Sequence, residues 1–191
     1  MTYVIVTLIG LAFGAADQYL GSRSIVLGLW ASTAAQMSAP WLLLAFTVGI
    51  TQQRARRAAV LGLVVTASAL FGYFAMTYSP VEIRIWTIHR FTSGMVVVTT
   101  TGYNPAYIAA GLVTGPVFGW LGHRWRVRRS LISAALVAGA LCLEPLARWL
   151  TGQLWPPAPV WTVEVALGAV VAAIFAYAIL ARRGEGTAVP D

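Results

Sequence analysis

AAVLGLVVTASALFGYFAMTYS, residues 58–79, contains no charged side chain and follows directly on Arg54-Ala55-Arg56-Arg57. A hydrocarbon layer about 30 Å thick asks for about 20 apolar helical residues, and this stretch supplies them. An apolar run flanked by arginines is the pattern of a membrane-spanning helix with a basic end. Outward from it the pattern recurs. Six spans are expected, at about 2–21, 38–53, 58–79, 105–122, 130–151 and 160–181. The expected fold class is all-α: one polytopic membrane helix bundle over 1–181, about six transmembrane helices, then a cytoplasmic tail at 182–191. The second span is short, so it either tilts little or begins earlier, within Ile25 to Trp30; the fourth is rich in glycine. The first lacks a basic leading region and carries Asp17-Gln18 before any plausible cleavage site, so it reads as retained and not as a signal peptide.

Composition agrees with this medium. Hydrophobic residues make up 59% of the chain and charged residues 10%, with a mean hydropathy of +0.75, which places it among multi-pass membrane proteins. The net charge of +7 does not indicate nucleic acid, because the basic residues sit between apolar spans and not along a solvated groove. The lone Cys142 excludes an internal disulfide, and His89 and His123 are far apart in sequence. No metal and no cofactor is expected.

The arginines set the orientation. Arg54, Arg56 and Arg57, then Arg124, Arg126, Arg128 and Arg129, then Arg182 and Arg183 account for nine of the thirteen basic residues, all arginine. Six spans put these groups on one side, which the positive-inside rule makes cytoplasmic, with both termini inside. Arg23, Arg84, Arg90 and Arg148 fall on the other side. The inward-running helices begin alike, at Ala39-Pro40-Trp41, Asn104-Pro105-Ala106-Tyr107 and Ala158-Pro159-Val160-Trp161. Proline in a first turn with an interfacial aromatic suits any such helix, and the intervening residues match poorly, so shared boundary conditions explain the likeness better than an internal repeat does.

The outer connections are unusual. After Ser79-Pro80 the chain reads VEIRIWTIHRF and then TSGMVVVTTTGYN, alternating and β-branched, too apolar for an ordinary solvated loop. Residues 81–104 are expected to form either a lid or re-entrant segment over an outer cavity, or an interfacial loop without function.

Three carboxylates fall inside spans: Asp17, Glu144 and Glu164. An ionisable group in hydrocarbon costs at least roughly 2.5–3.5 kcal/mol on insertion scales, so it usually faces a bundle interior, a cavity or a partner. Asp17 and Glu164 lie roughly 6 Å from the outer helix ends and Glu144 roughly 9–10 Å. Glu144 precedes Pro145, which removes a backbone donor and frees a carbonyl, and Arg148 stands at i+4 where the two side chains meet. The bland alternatives are a structural ion pair for Glu144 and snorkelling or capping for the other two. Aromatics gather on the outer half, among them Trp41, Trp149, Trp155 and Trp161, against Trp120, Trp125 and Tyr177 toward the inside. An interfacial belt predicts a more even split. The expected substrate-binding residues are therefore Asp17, Gln18, Trp41, Glu144, Arg148, Trp161 and Glu164, with cation–π and stacking contacts to a cationic or conjugated molecule. Gly10 and Gly14, with Ala12 and Ala16, give the first helix a small-residue face for close helix approach. Its expected occupant is another helix of the bundle, or, in a sharper reading, a membrane partner subunit.

GAADQYLGS (14–22), SAPWLLLAFTVG (38–49), VTGPVFGWLGHRWRVRRS (113–130) and LCLEPLAR (141–148) together resemble a family of small integral membrane proteins of unknown function from high-GC Gram-positive bacteria. The resemblance covers most of the chain, supports the architecture and marks Asp17, Gln18 and Glu144 as matching positions, but implies no substrate. In layout alone the chain is similar to the substrate-binding subunits of energy-coupling-factor vitamin transporters, which bind their ligand from the outer side and use small residues on the first helix to contact a coupling partner. Small-molecule binding or transport at an outer acid- and aromatic-lined pocket is thus the first expectation. The alternative is an intramembrane enzyme on an isoprenoid or lipid, resembling the small membrane terpene cyclases, with Glu144, Asp17 or Glu164 as the catalytic proton donor. No GxSxG elbow or triad setting supports hydrolysis. A third reading is an assembly subunit of a membrane complex.

Overall fold

A computed structural model describes residues 2–23, 29–35, 37–79, 105–150 and 158–185. Among the described residues there is no strand, and the helices are α1 (Thr2–Ser22), α2 (Leu29–Ala34), α3 (Ala39–Ile50), α4 (Ala55–Thr77), α5 (Pro105–Arg128), α6 (Leu131–Leu150) and α7 (Ala158–Glu185). Four of them, α1, α4, α6 and the Pro159–Ala181 part of α7, are long and apolar enough to cross a membrane. The protein is an all-helical, membrane-type bundle. Residues 81–104, expected as lid or interfacial loop, lie outside the described residues.

α2, which holds Trp30, is a separate helix, and Ile25 to Gly28 lie outside the described residues; within the expected second span, α3 starts at Ala39 with Ser38 at its N-cap and Pro40 in its first turn. Proline fits there because its missing N–H would have had no intrahelical partner. As helices, α5 runs on from the expected fourth span to Arg128, and α7 from the expected last span to Glu185.

Glycine explains how α5 belongs in the bundle despite its low apolarity. Gly115 approaches Gly62 and Thr66 of α4, Gly119 approaches Ala58, and Gly122 approaches Phe46 of α3. A Cβ on Gly119 would stand 2.4 Å from the Ala58 carbonyl oxygen. Backbones meet directly here, and dispersion between close-packed atoms replaces the large apolar side chains of an ordinary interface. Gly10 and Gly14 of α1 are buried in the same manner against α4, at Val65 and Ala69. Of the small residues expected to admit a neighbouring helix, Gly10 and Gly14 are covered by α4, while Ala12 and Ala16 are exposed.

The α6–α7 hairpin docks on this glycine-packed group through side chains. Phe46 of α3, Trp125 of α5 and Phe175 of α7 form one aromatic cluster, with Trp125 and Phe175 centroids 4.3 Å apart. Leu121, Val137 and Leu141 complete this core. Between α5 and α6 the chain turns sharply: Arg129 takes φ 46°, in the left-handed region, and its N–H donates to the Trp125 carbonyl. That bond satisfies one of the carbonyls orphaned at the end of α5.

α3 is the helix that positions the site. Its 12 residues extend about 18 Å, against hydrocarbon about 30 Å thick. Its C-terminal end meets the basic turn at Thr51–Arg54, where Arg126 donates to the carbonyls of Ile50 (3.0 Å) and Thr51 (2.9 Å), and His123 Nδ1–H donates to that of Gln52 (3.0 Å). These cationic and polar donors suit the negative end of the helix dipole. That leaves the amino end of this short helix, where the first N–H groups have no intrahelical partner, to be closed by another part of the chain.

Candidate functional site

The N-terminus of α3 is closed by a carboxylate from another helix. Glu144 of α6 accepts hydrogen bonds from the Ser38 N–H (2.8 Å to Oε1, 3.0 Å to Oε2), from the Ser38 hydroxyl (2.7 Å) and from the Ala39 N–H (3.0 Å). Ser38 makes no cap bond to its own helix; its hydroxyl reaches across to α6 instead. An anion at a helix N-terminus both fills the orphan donors and meets the positive end of the dipole. Arg148 adds the second half of the arrangement, with Nε 3.0 Å and Nη2 2.8 Å from Glu144 Oε1. The expected i,i+4 pair is present, and it bridges α6 to the amino terminus of α3. Across the short helix the charges match the dipole at both ends: Glu144 at the amino end, Arg126 at the carboxyl end.

Arg148 also covers the ring of Trp161 in α7, 5.4 Å from its centroid, and Trp161 is buried. One turn farther along α7, Glu164 is 1% exposed. Its carboxyl lies within hydrogen-bonding reach of that of Glu144, yet neither oxygen receives a donor. The two observations agree, since two carboxylates offer each other only acceptors, and a bond between them exists only with a proton in the gap. A buried carboxyl group without a partner is costly, and such a group in a native fold is a mark of chemistry or binding.

Asp17 stands elsewhere. It accepts from the Trp41 indole, and Trp41 packs edge-on against Phe13 (5.4 Å) and Tyr73 (6.3 Å). Glu144 and Glu164 come together, therefore, while Asp17 joins an aromatic group on the α1–α4 side of the same first turn of α3. Gln18 is partly exposed, and among the described residues no hydrogen bond joins it to either group. Trp41→Phe keeps a ring between Phe13 and Tyr73 but removes the donor to Asp17. A loss of about 1–3 kcal/mol is expected for a bond to a charged group. Combining it with Asp17→Asn should cost less than the sum of the two, as read from a double-mutant cycle of thermal unfolding.

Ser38 is the site residue that sequence reading missed. The signal was present, since Ser-Ala-Pro is a helix-start pattern, but nothing in it says that the cap comes from a residue more than a hundred positions away. Among the described residues no group of three or more His, Cys, Asp or Glu is placed to hold a metal ion.

The chain matches, over residues 1–190, the model described as a family of unknown function (DUF6518), and it belongs to that family. No curated protein and no solved structure matches it.

Proposed function

With no activity to inherit from that family, we propose that this protein binds a small molecule at the Glu144–Glu164 carboxyl pair and carries it through the bilayer. The observation that supports this reading is the buried Glu164 carboxyl, without a donor and beside a carboxylate whose own needs are met. Glu144 is satisfied by Ser38, Ala39 and Arg148, so its part is to hold the frame. Glu164 is left to meet the ligand. The pair is closed by one of two things: a proton between the carboxyls, or a cationic or donor-bearing group that replaces it. A proton needs no cavity, which suits the tight packing around Glu164 when no ligand is bound. Exchange of proton for ligand, as α7 parts from α6, would make binding and proton movement one event. Trp161 and Arg148 offer an aromatic face and a planar cation beside the exchange point, while Asp17 is held by Trp41 of the α3 first turn.

Ligand retention tests this. Protein purified gently from its native membrane should carry a bound small molecule visible by native mass spectrometry. Glu164→Gln places an amide where the proton would sit, donating permanently to Glu144, so the retained ligand should fall at least tenfold while the fold stays intact. A wild-type protein empty in several lipids and detergents, or a Glu164→Gln protein that retains ligand fully, would sink the reading. Turnover of a prenylated precursor in membranes, abolished by Glu164→Gln, would instead favour an enzyme.

A further inference from the structure

At the opposite end of α3, the turn into α4 borders an open cavity of about 930 Å³ whose lining includes Arg54, Arg56, Arg57, Thr2, Tyr3 and Val60. No acidic side chain lines it. Arg54 is the N-cap of α4 and caps it with no side-chain hydrogen bond, and the first turn of α4 holds no acid. Cations are therefore gathered at the positive end of a helix dipole, the reverse of the favourable placement. Orientation in a membrane asks only that arginines lie on this side; it does not ask for three of them around one cavity at a helix N-terminus. An anion seated there relieves both the mutual repulsion of the guanidinium groups and their conflict with the dipole.

The surroundings restrict which anion. The cavity lies where spanning helices α1 and α4 reach their ends, with Tyr3 and Val60, both about half exposed, on its apolar wall. Arg57 is braced by its bond to the Thr2 hydroxyl (3.1 Å), while Arg54 and Arg56 are exposed. Thr51, Gln52 and Gln53 of the connecting turn also line it; Thr51 and Gln52 already donate within the turn, which leaves the exposed Gln53 side chain as the added donor. A phosphodiester joined to acyl chains meets both walls at once, arginines and Gln53 on the phosphate, and Tyr3 and Val60 on the glycerol and first methylenes.

We infer that this cavity is a binding site for the headgroup of an anionic phospholipid from the adjoining leaflet. It is independent of the carboxyl pair at the other end of α3. Phosphate contact and apolar contact act together, so the free headgroup binds more weakly than the lipid.

The test is native mass spectrometry of the full chain in detergent, titrated with phosphatidylglycerol, phosphatidylcholine or free glycerol phosphate. One tightly held phosphatidylglycerol per protein is expected, in preference to phosphatidylcholine, with glycerol phosphate at least tenfold weaker. Arg54→Gln with Arg56→Gln should weaken retention roughly 25-fold, at about fivefold per arginine near a membrane surface. Arg128→Gln, exposed on the last turn of α5 and outside the lining, should change it less than fivefold. Arg54→Lys with Arg56→Lys controls for folding and should keep much of the retention. The inference is overturned by equal retention of the two lipids, by an Arg128→Gln effect as large as that of the double variant, or by glycerol phosphate binding as tightly as the lipid.

Discussion

Gly14→Ala should destabilise the bundle by about 3 kcal/mol or more, the upper part of the range for inserting a methyl group into a packed interior. The added Cβ would stand 1.8 Å from the Ala69 carbonyl oxygen, 2.6 Å from its carbon and 2.9 Å from the Tyr73 nitrogen. These are backbone atoms of α4, so no rotamer change relieves the clash; α1 and α4 must move apart along their whole contact. The loss of close packing then spreads to Gly10, which meets Val65 and Ser68 of α4, and to Gly72 of α4, which meets Leu11 of α1. Gly139→Ala is the matched control. Nothing lies within 4 Å of its added Cβ, and replacing glycine by alanine within a helix favours the helix by up to about 1 kcal/mol. Opposite shifts of melting temperature are expected for the two variants in one detergent. Equal shifts would mean that α1 and α4 are not packed backbone to backbone.

Glu144→Gln should cost about 3 kcal/mol, because it leaves the guanidinium of Arg148 without its counter-charge and the α3 amino end without an anion. The Glu144 and Arg148 side chains are 9% and 18% exposed, so water compensates little. Ser38→Ala removes one of the donors to Glu144 and should cost about 1–2 kcal/mol. Adding Arg148→Met to Glu144→Gln should recover part of the loss, as expected when both members of a buried pair are replaced. The informative comparison is with Glu164→Gln. That substitution strands no charge and supplies a donor to Glu144, so unfolding should be unchanged or slightly harder. If Glu144→Gln and Glu164→Gln destabilise alike, the division into a supporting carboxylate and a ligand-facing one is wrong. Both are read from thermal unfolding in the same lipid, alongside the ligand-retention measurement.

This division shows how far the residues alone could be read. Asp17, Glu144 and Glu164 are visible in the sequence because a carboxylate inside an apolar span is rare and costly. The Glu144–Arg148 pair is visible because i and i+4 share one face of a helix. Their shared depth follows from rise per residue. Direction around each helix axis, and hence which carboxyls meet, depends on how α6, α7 and α3 pack together. Depth alone grouped three acids. Packing brings Glu144 to Glu164 and gives Asp17 to Trp41. Likewise Gly10 and Gly14 announce close approach, while only the packing of α1 on α4 says what approaches them.

By itself the sequence determined the all-helical, membrane-type class, the run of apolar stretches and the gathering of arginines beside them, because hydrophobicity and charge act locally and leave their pattern in the order of residues. Two of those arginine groups do meet at one end of the bundle, where Arg126 holds the carbonyls of the turn beside Arg54. Only the tertiary structure decided that α3 stops short, that its amino end is closed by Glu144 from α6, and that Glu164 is sealed beside it with no donor. The physical reason is that a helix leaves unsatisfied N–H groups at its amino end, and the residue that satisfies them is chosen by proximity in space, which no local pattern encodes.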